Sequence, residues 1–188
     1  MPVTVTYENL NTSDMPRRGM EPATAPVHVL LVDLEADLVI RDGERTVCAV
    51  EDFPVAELAR ALVAWLERGR GRQARDGFRF ESMSFEELGT VRIEETTAGW
   101  RVGSVFEPDH WTAPVTWEVL VAELTRFTDT VREGVTRLGA GPSLIPPLPQ
   151  GDADADGHRP LRGRRSREPA PAPLRRSGTP SRPGGTPC

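Results

Sequence analysis

Apolar and polar residues alternate along residues 27–42, VHVLLVDLEADLVIRD. Leu30, Val32, Leu34, Ala36, Leu38 and Ile40 fall on one side of that pattern, and Asp33, Glu35 and Asp37 on the other. A period of two predicts one long β-strand with a single buried face. Gly43, in DGE at 42–44, suits a tight turn, and RTVCAVED at 45–52 reads as the returning hairpin partner. The N-terminal VTVTYEN also alternates and predicts a further edge strand, whereas residues 11–26 read as loop.

The period then changes. In DFPVAELARALVAWLERG, Val55, Leu58, Leu62, Trp65 and Leu66 recur at helical spacing, with Pro54 suited to the first turn and Gly69 to the end. FRFESM (78–83), TVRIEET (90–96) and GWRVGSVF (99–106) predict three more strands, the last two joined by a hairpin through TAG at 97–99. Trp100, Val102, Ser104 and Phe106 share one side of the last strand and predict core. Between the first two strands, Ser84 and Glu87 stand at capping-box spacing and predict one helical turn ended by Gly89. A second amphipathic helix is predicted from Thr116, its N-cap, to Leu138, with Trp117, Leu120, Leu124, Phe127, Val131, Val135 and Leu138 as its stripe. The order implies an α+β fold: an antiparallel sheet of about five or six strands, two amphipathic helices on one face and a polar face opposite.

Composition sets the domain boundaries. Residues 140–188 hold 11 of the 18 prolines and eight arginines against four carboxylates, a net +4. Residues 1–139 hold 15 arginines against 24 carboxylates, a net −9. The chain therefore divides into an N-terminal segment (1–26), an α+β domain (27–139) and a Pro/Arg-rich tail (140–188) whose lack of apolar periodicity predicts disorder. All 23 basic residues are arginine, a bias that reads as GC-rich coding and weakens arguments from arginine number alone.

In the tail, GDADADGHRP (151–160) has the first half of a calcium loop in Asp152, Asp154, Asp156 and Gly157. Gly163 stands where the bidentate glutamate belongs, so no metal is expected there. The three histidines and two cysteines form no zinc spacing, and no phosphate-binding or nucleophile motif occurs. Cys48 reads as a buried structural thiol. No cofactor is expected. No run is apolar enough for a membrane span and the first residues do not read as a signal peptide, which leaves the cytoplasm as the expectation. RGRRSR (162–167) is a short basic cluster without a specific nucleic-acid signature.

EADLVI, FPVAELARALVAWL, FRFESMSFEELG and GWRVGSVF, in this order, resemble an uncharacterised actinobacterial family of domains of unknown function. The resemblance spans roughly residues 5–139 and supplies no catalytic residues. In size and style the chain is also loosely similar to small bacterial immunity proteins. Taken with the −9 charge, this predicts a non-catalytic interaction domain that docks a basic protein partner. Asp33, Glu35, Asp37, Glu81, Glu86, Glu87 and the loop tryptophan Trp111 are the contact candidates. The competing expectation is a ligand-binding or enzymatic pocket between sheet and helices, near Ser82, Ser104 and His110.

Overall fold

The computed structural model describes residues 3–12, 14–70 and 76–148. Strand β1 (Val3–Asn11) is followed by short helices α1 (Asp14–Arg17) and α2 (Val27–Asp33), then by strands β2 (Glu35–Asp42) and β3 (Arg45–Phe53). Helix α3 (Val55–Gly69) leads to β4 (Phe78–Arg79), β5 (Arg92–Thr96), β6 (Gly99–Gly103) and helix α4 (Trp117–Arg137). The fold is α+β, as expected, but its strands form two antiparallel three-stranded sheets, β1-β2-β3 and β4-β5-β6, instead of one sheet of five or six.

The predicted long strand is the main correction. Its first half, Val27–Asp33, is helix α2, and only Glu35–Asp42 is strand. Two local facts decide this. Pro26 precedes the helix with φ −59° and ψ 146°, and its carbonyl accepts from the Leu30 amide at 3.0 Å. The partner strand also runs out, because the last β1–β2 pair is Asn11↔Glu35. Residues before Glu35 have no ladder to join, so local helix bonds satisfy their backbone instead.

From Leu34 onward the alternation holds. Leu34, Ala36, Leu38 and Ile40 are buried, and Glu35, Asp37 and Val39 between them are half-buried on the outer side. The inner face packs on Leu58 and Leu62 of α3 and on Leu120, Leu124, Phe127 and Val131 of α4, all buried in one core. Trp65, Phe78, Trp100 and Trp117 close the core beside the second sheet, with ring centroids 5.0–6.1 Å apart. Both predicted amphipathic helices are present, and Thr116 caps α4 by accepting from the Val119 amide at 3.4 Å.

Strand β1 lies at the edge of its sheet, and α4 covers that edge. The Val5 amide donates to Glu123 Oε1 at 2.6 Å, and Arg126 donates to the Val5 carbonyl at 2.8 Å. Glu123 and Arg126 hold each other at 2.6 Å. Tyr7 donates its hydroxyl proton to the Thr130 carbonyl at 2.9 Å and packs its ring edge-on to Phe127. Gly134 has room for neither a methyl group nor a larger side chain, because Tyr7 and Leu10 press against its Cα.

Several shorter segments also differ from expectation. Residues 14–17 form a turn of helix rather than loop and bury Met15. No helical turn forms at 84–89; the Gly89 amide instead donates to the Phe80 carbonyl at 2.8 Å, with Gly89 at φ 92°. The 78–83 strand is only two residues long because Glu57 of α3 takes over its continuation. The buried Glu57 carboxylate accepts from Ser82 Oγ at 2.8 Å and the Met83 amide at 2.9 Å. Strand β6 stops at Gly103, so Phe106 leaves the ladder and is 40% exposed instead of joining the core. The packed chain also continues past residue 139. Ala140, Leu144 and Ile145 are buried, and Arg60 donates to the Leu144 carbonyl at 3.0 Å. The rest of the predicted tail, including the aspartate-rich run and the basic cluster, lies outside the described residues. No helix among the described residues is long and apolar enough to cross a membrane.

Replacing Glu123 by alanine leaves the Val5 amide and Arg126 without their carboxylate. The expected loss is about 1–3 kcal/mol of unfolding free energy, the cost of an unsatisfied buried donor. Urea denaturation reads it directly. An unchanged midpoint would show that water satisfies this edge equally well.

Candidate functional site

Pairing of β1, β2 and β3 fixes what the outer face of their sheet presents. Val3, Val5 and Tyr7 turn inward along β1, so Thr4, Thr6 and Glu8 turn outward. On β2 the outward positions are Glu35, Asp37, Val39 and Arg41; on β3 they include Ala49 and Glu51. Exposed Asp52 stands at the end of β3 in a left-handed conformation, φ 50°, where the register of the strand pair shifts. Among the described residues the outward positions of these strands thus carry Glu8, Glu35, Asp37 and Glu51, joined by Asp52, against one cation, Arg41. Arg45, at the far end, is already paired with Asp42 at 3.0 Å.

These carboxylates repel one another. Glu8 stands directly opposite Asp37, a pairing that ordinarily destabilises a sheet. The Asn9 amide offsets part of this by donating to Asp37 Oδ2 at 2.5 Å. The Glu35 carboxyl is held above the ordinary glutamate range, first by burial and then by the charges of Asp52, Asp14 and Asp33. Repulsion left standing on an exposed face favours an external cation.

A shallow open depression of about 560 Å³ crosses this face. Its lining comes from Asp37–Val39, Ala49–Glu51 and Phe106. Ala49 is exposed and small, and leaves the space a larger residue would occupy. Phe106 forms one wall and is held by Phe85, whose ring meets it at 6.0 Å and stacks on Phe53 at 5.5 Å. Carboxylates border the apolar floor. A second depression, beside β4 and β5, mixes Arg79 with Glu94 and Glu95 and presents no single sign of charge.

The predicted contact residues separate into three groups. Glu35 and Asp37 lie on the acidic face as expected. Asp33 does not: it sits in α2, buried, and pairs with Arg18 at 3.2 Å. The triad therefore does not project as one row, because the helix turns Asp33 away from the strand. Glu81, Glu86 and Glu87 are exposed between β4 and β5, and the latter two follow Phe85, which packs on the depression's wall. Trp111 is half-buried over the second sheet, with the Arg101 and Arg92 guanidinium carbons 4.1 and 4.6 Å from its ring centre. It lies flat on Gly103, where a Cβ would meet the indole at 2.8 Å, and its carbonyl accepts from Arg45 at 2.6 Å. It fastens a loop to the fold.

Sequence reasoning missed Val39, Ala49, Glu51 and Phe106. The alternation of RTVCAVED does contain the signal for Ala49 and Glu51, since they flank inward-facing Val50. Nothing local marks Phe106, because its exposure follows from where β6 ends.

Ser82, Ser104 and His110 are engaged separately. Ser82 is bonded to Glu57, Ser104 Oγ accepts from the Phe106 amide at 3.2 Å, and exposed His110 pairs with Glu107 at 3.4 Å. The interior they were expected to border is filled by buried Trp65, Phe80 and Phe127. Cys48 is buried beside Ser104, and burial raises its thiol above the ordinary range, which keeps it in the unreactive form. Among the described residues, no group of three or more histidines, cysteines or carboxylates is placed to hold a metal ion.

A family model described as Domain of unknown function (DUF7878) matches residues 14–137, a span that includes α1 through α4. No curated protein and no solved structure matches the chain.

Because the folded state raises the Glu35 pKa, it holds the proton more firmly than the unfolded chain does. The stability tied to this group is fully present below the unfolded pKa and is lost as pH rises through the folded one. Glu35→Gln is therefore expected to be more stable than the natural chain at pH 7. The difference should close in acid, below the ordinary glutamate range. Urea midpoints at the two pH values provide the check, and a less stable variant at pH 7 would refute the repulsion.

Proposed function

We propose that this chain, which belongs to the family described as Domain of unknown function (DUF7878), is a non-catalytic interaction domain whose acidic sheet face docks a basic protein partner. One observation carries the reading: the outer face of β1–β3 holds Glu8, Glu35, Asp37 and Glu51 together, with Arg41 as its single cation among those outward positions. A sheet face that served only as a solvated surface gains by interleaving charges of opposite sign across strands. This face does the opposite, at a cost in stability that a cationic partner would remove. Charge of one sign over such an area also steers association and rejects acidic competitors.

An immunity-like role agrees with this arrangement. Neutralising a basic protein requires a shaped, charged docking surface and no reaction centre. Exposed Glu86 and Glu87 follow Phe85, the ring that braces Phe106, and remain candidates for the contact, whereas Asp33 and Trp111 take no part, the first buried and the second engaged by two arginines.

Asp37→Arg combined with Glu51→Arg reverses the centre of the face without touching the core. Affinity capture from the native host, with the natural chain as bait, is expected to recover a basic protein that high salt releases. The double variant should lose it while retaining the natural circular dichroism spectrum and a urea midpoint no lower than that of the natural chain. Equal recovery by the two baits would remove the acidic face from the function.

A further inference from the structure

We infer that the depression over Ala49 is an anchor site for one arginine side chain of the partner. This rests on the docking role proposed for the acidic face and names the chemistry that the face selects. An arginine side chain has two unlike parts, an alkyl stem and a planar cation, and the depression matches both. Val39 and Ala49 supply an apolar floor for the stem. Asp37 and Glu51 flank that floor and accept hydrogen bonds from the guanidinium fork. Phe106, 40% exposed, offers a ring against which the planar cation can lie.

Phe106 is costly to leave in water, and its position is held rather than incidental. Phe85 braces it, and the Phe106 amide donates to the buried Ser104 hydroxyl at 3.2 Å. Charge complementarity identifies the occupant. A purely apolar side chain would fill the floor but leave Asp37 and Glu51 facing a desolvated rim. A second copy of this chain would bring a like-charged face against this one. Lysine satisfies the charge but lacks the planar fork and stacks less well.

The test uses the full chain, isotope-labelled, titrated with acetylated tetra-arginine amide and, separately, with tetra-lysine amide. Saturable NMR shifts centred on residues 37–39, 49–51 and 106 are expected with tetra-arginine. Tetra-lysine should bind roughly twofold or more weakly, and Phe106→Ala should weaken tetra-arginine roughly two- to fivefold, the worth of an exposed cation–π contact. Ala49→Leu, which fills the depression without altering charge, should abolish the saturable shifts. Shifts spread evenly over the acidic face, equal binding of both peptides, or unchanged binding by Ala49→Leu would each overturn the anchor. So would concentration-dependent shifts at these residues without peptide, which would give the site to a second copy. If the Asp37/Glu51 reversal erases partner capture while Ala49→Leu and Phe106→Ala capture normally, the anchor fails and the acidic face stands. If the reversal has no effect on capture, the docking role itself fails.

Discussion

Everything on the outer face depends on one constraint in β2. This strand sits between β1 and β3, and its inner side chains Ala36, Leu38 and Ile40 are buried with almost no exposure. A shift of one residue would drive all three into water and pull Glu35, Asp37 and Arg41 into the core. At about 1.5–3 kcal/mol for each large apolar side chain, no alternative register competes. The same burial that holds the sheet together therefore determines which carboxylates meet solvent and which strand positions flank them.

The second determinant is how the sheet's two borders are treated. On the β1 side, Glu123 and Arg126 of α4 bond the Val5 amide and carbonyl, so that border is closed by side chains from a helix. On the β3 side, Phe106 stands against Ala49 to Glu51, and aromatic stacking through Phe85 to Phe53 connects it to the core. One border is sealed by polar bonds, whereas the other is flanked by an exposed ring. That asymmetry places the depression at the β3 side and gives it an apolar wall.

Much of this was legible in the sequence, and the failures have physical causes. The helices α3 and α4 were readable because their apolar stripes are long and their ends carry Pro54 and Thr116. Glu35 and Asp37 were placed correctly by the alternation around them. Asp33 was misplaced because VHVLLVD alternates only approximately and the pattern contains no information on where a partner strand ends. The single-sheet expectation failed for a related reason: strand propensity does not say which strands pair. Phe106 had the right parity for the core and lost it because β6 ends at Gly103. Trp111 is placed by the way its loop folds back over Arg92, Arg101 and Gly103 and by the bond from Arg45, 66 residues away, none of which strand or helix periodicity encodes.

The bond between Val5 and Glu123 joins residues 118 positions apart. During synthesis, β1 leaves the ribosome well before α4 does. Until that helix arrives, the outer border of β1 has only water as a partner, and the core beneath the sheet lacks Leu124 and Phe127. Completion of the sheet must therefore await nearly the whole domain, and loop-closure entropy makes such late, distant contacts slow. A nascent chain stalled before residue 117 would carry an open strand border beside incompletely covered apolar side chains, the combination that invites wrong pairing with neighbouring chains.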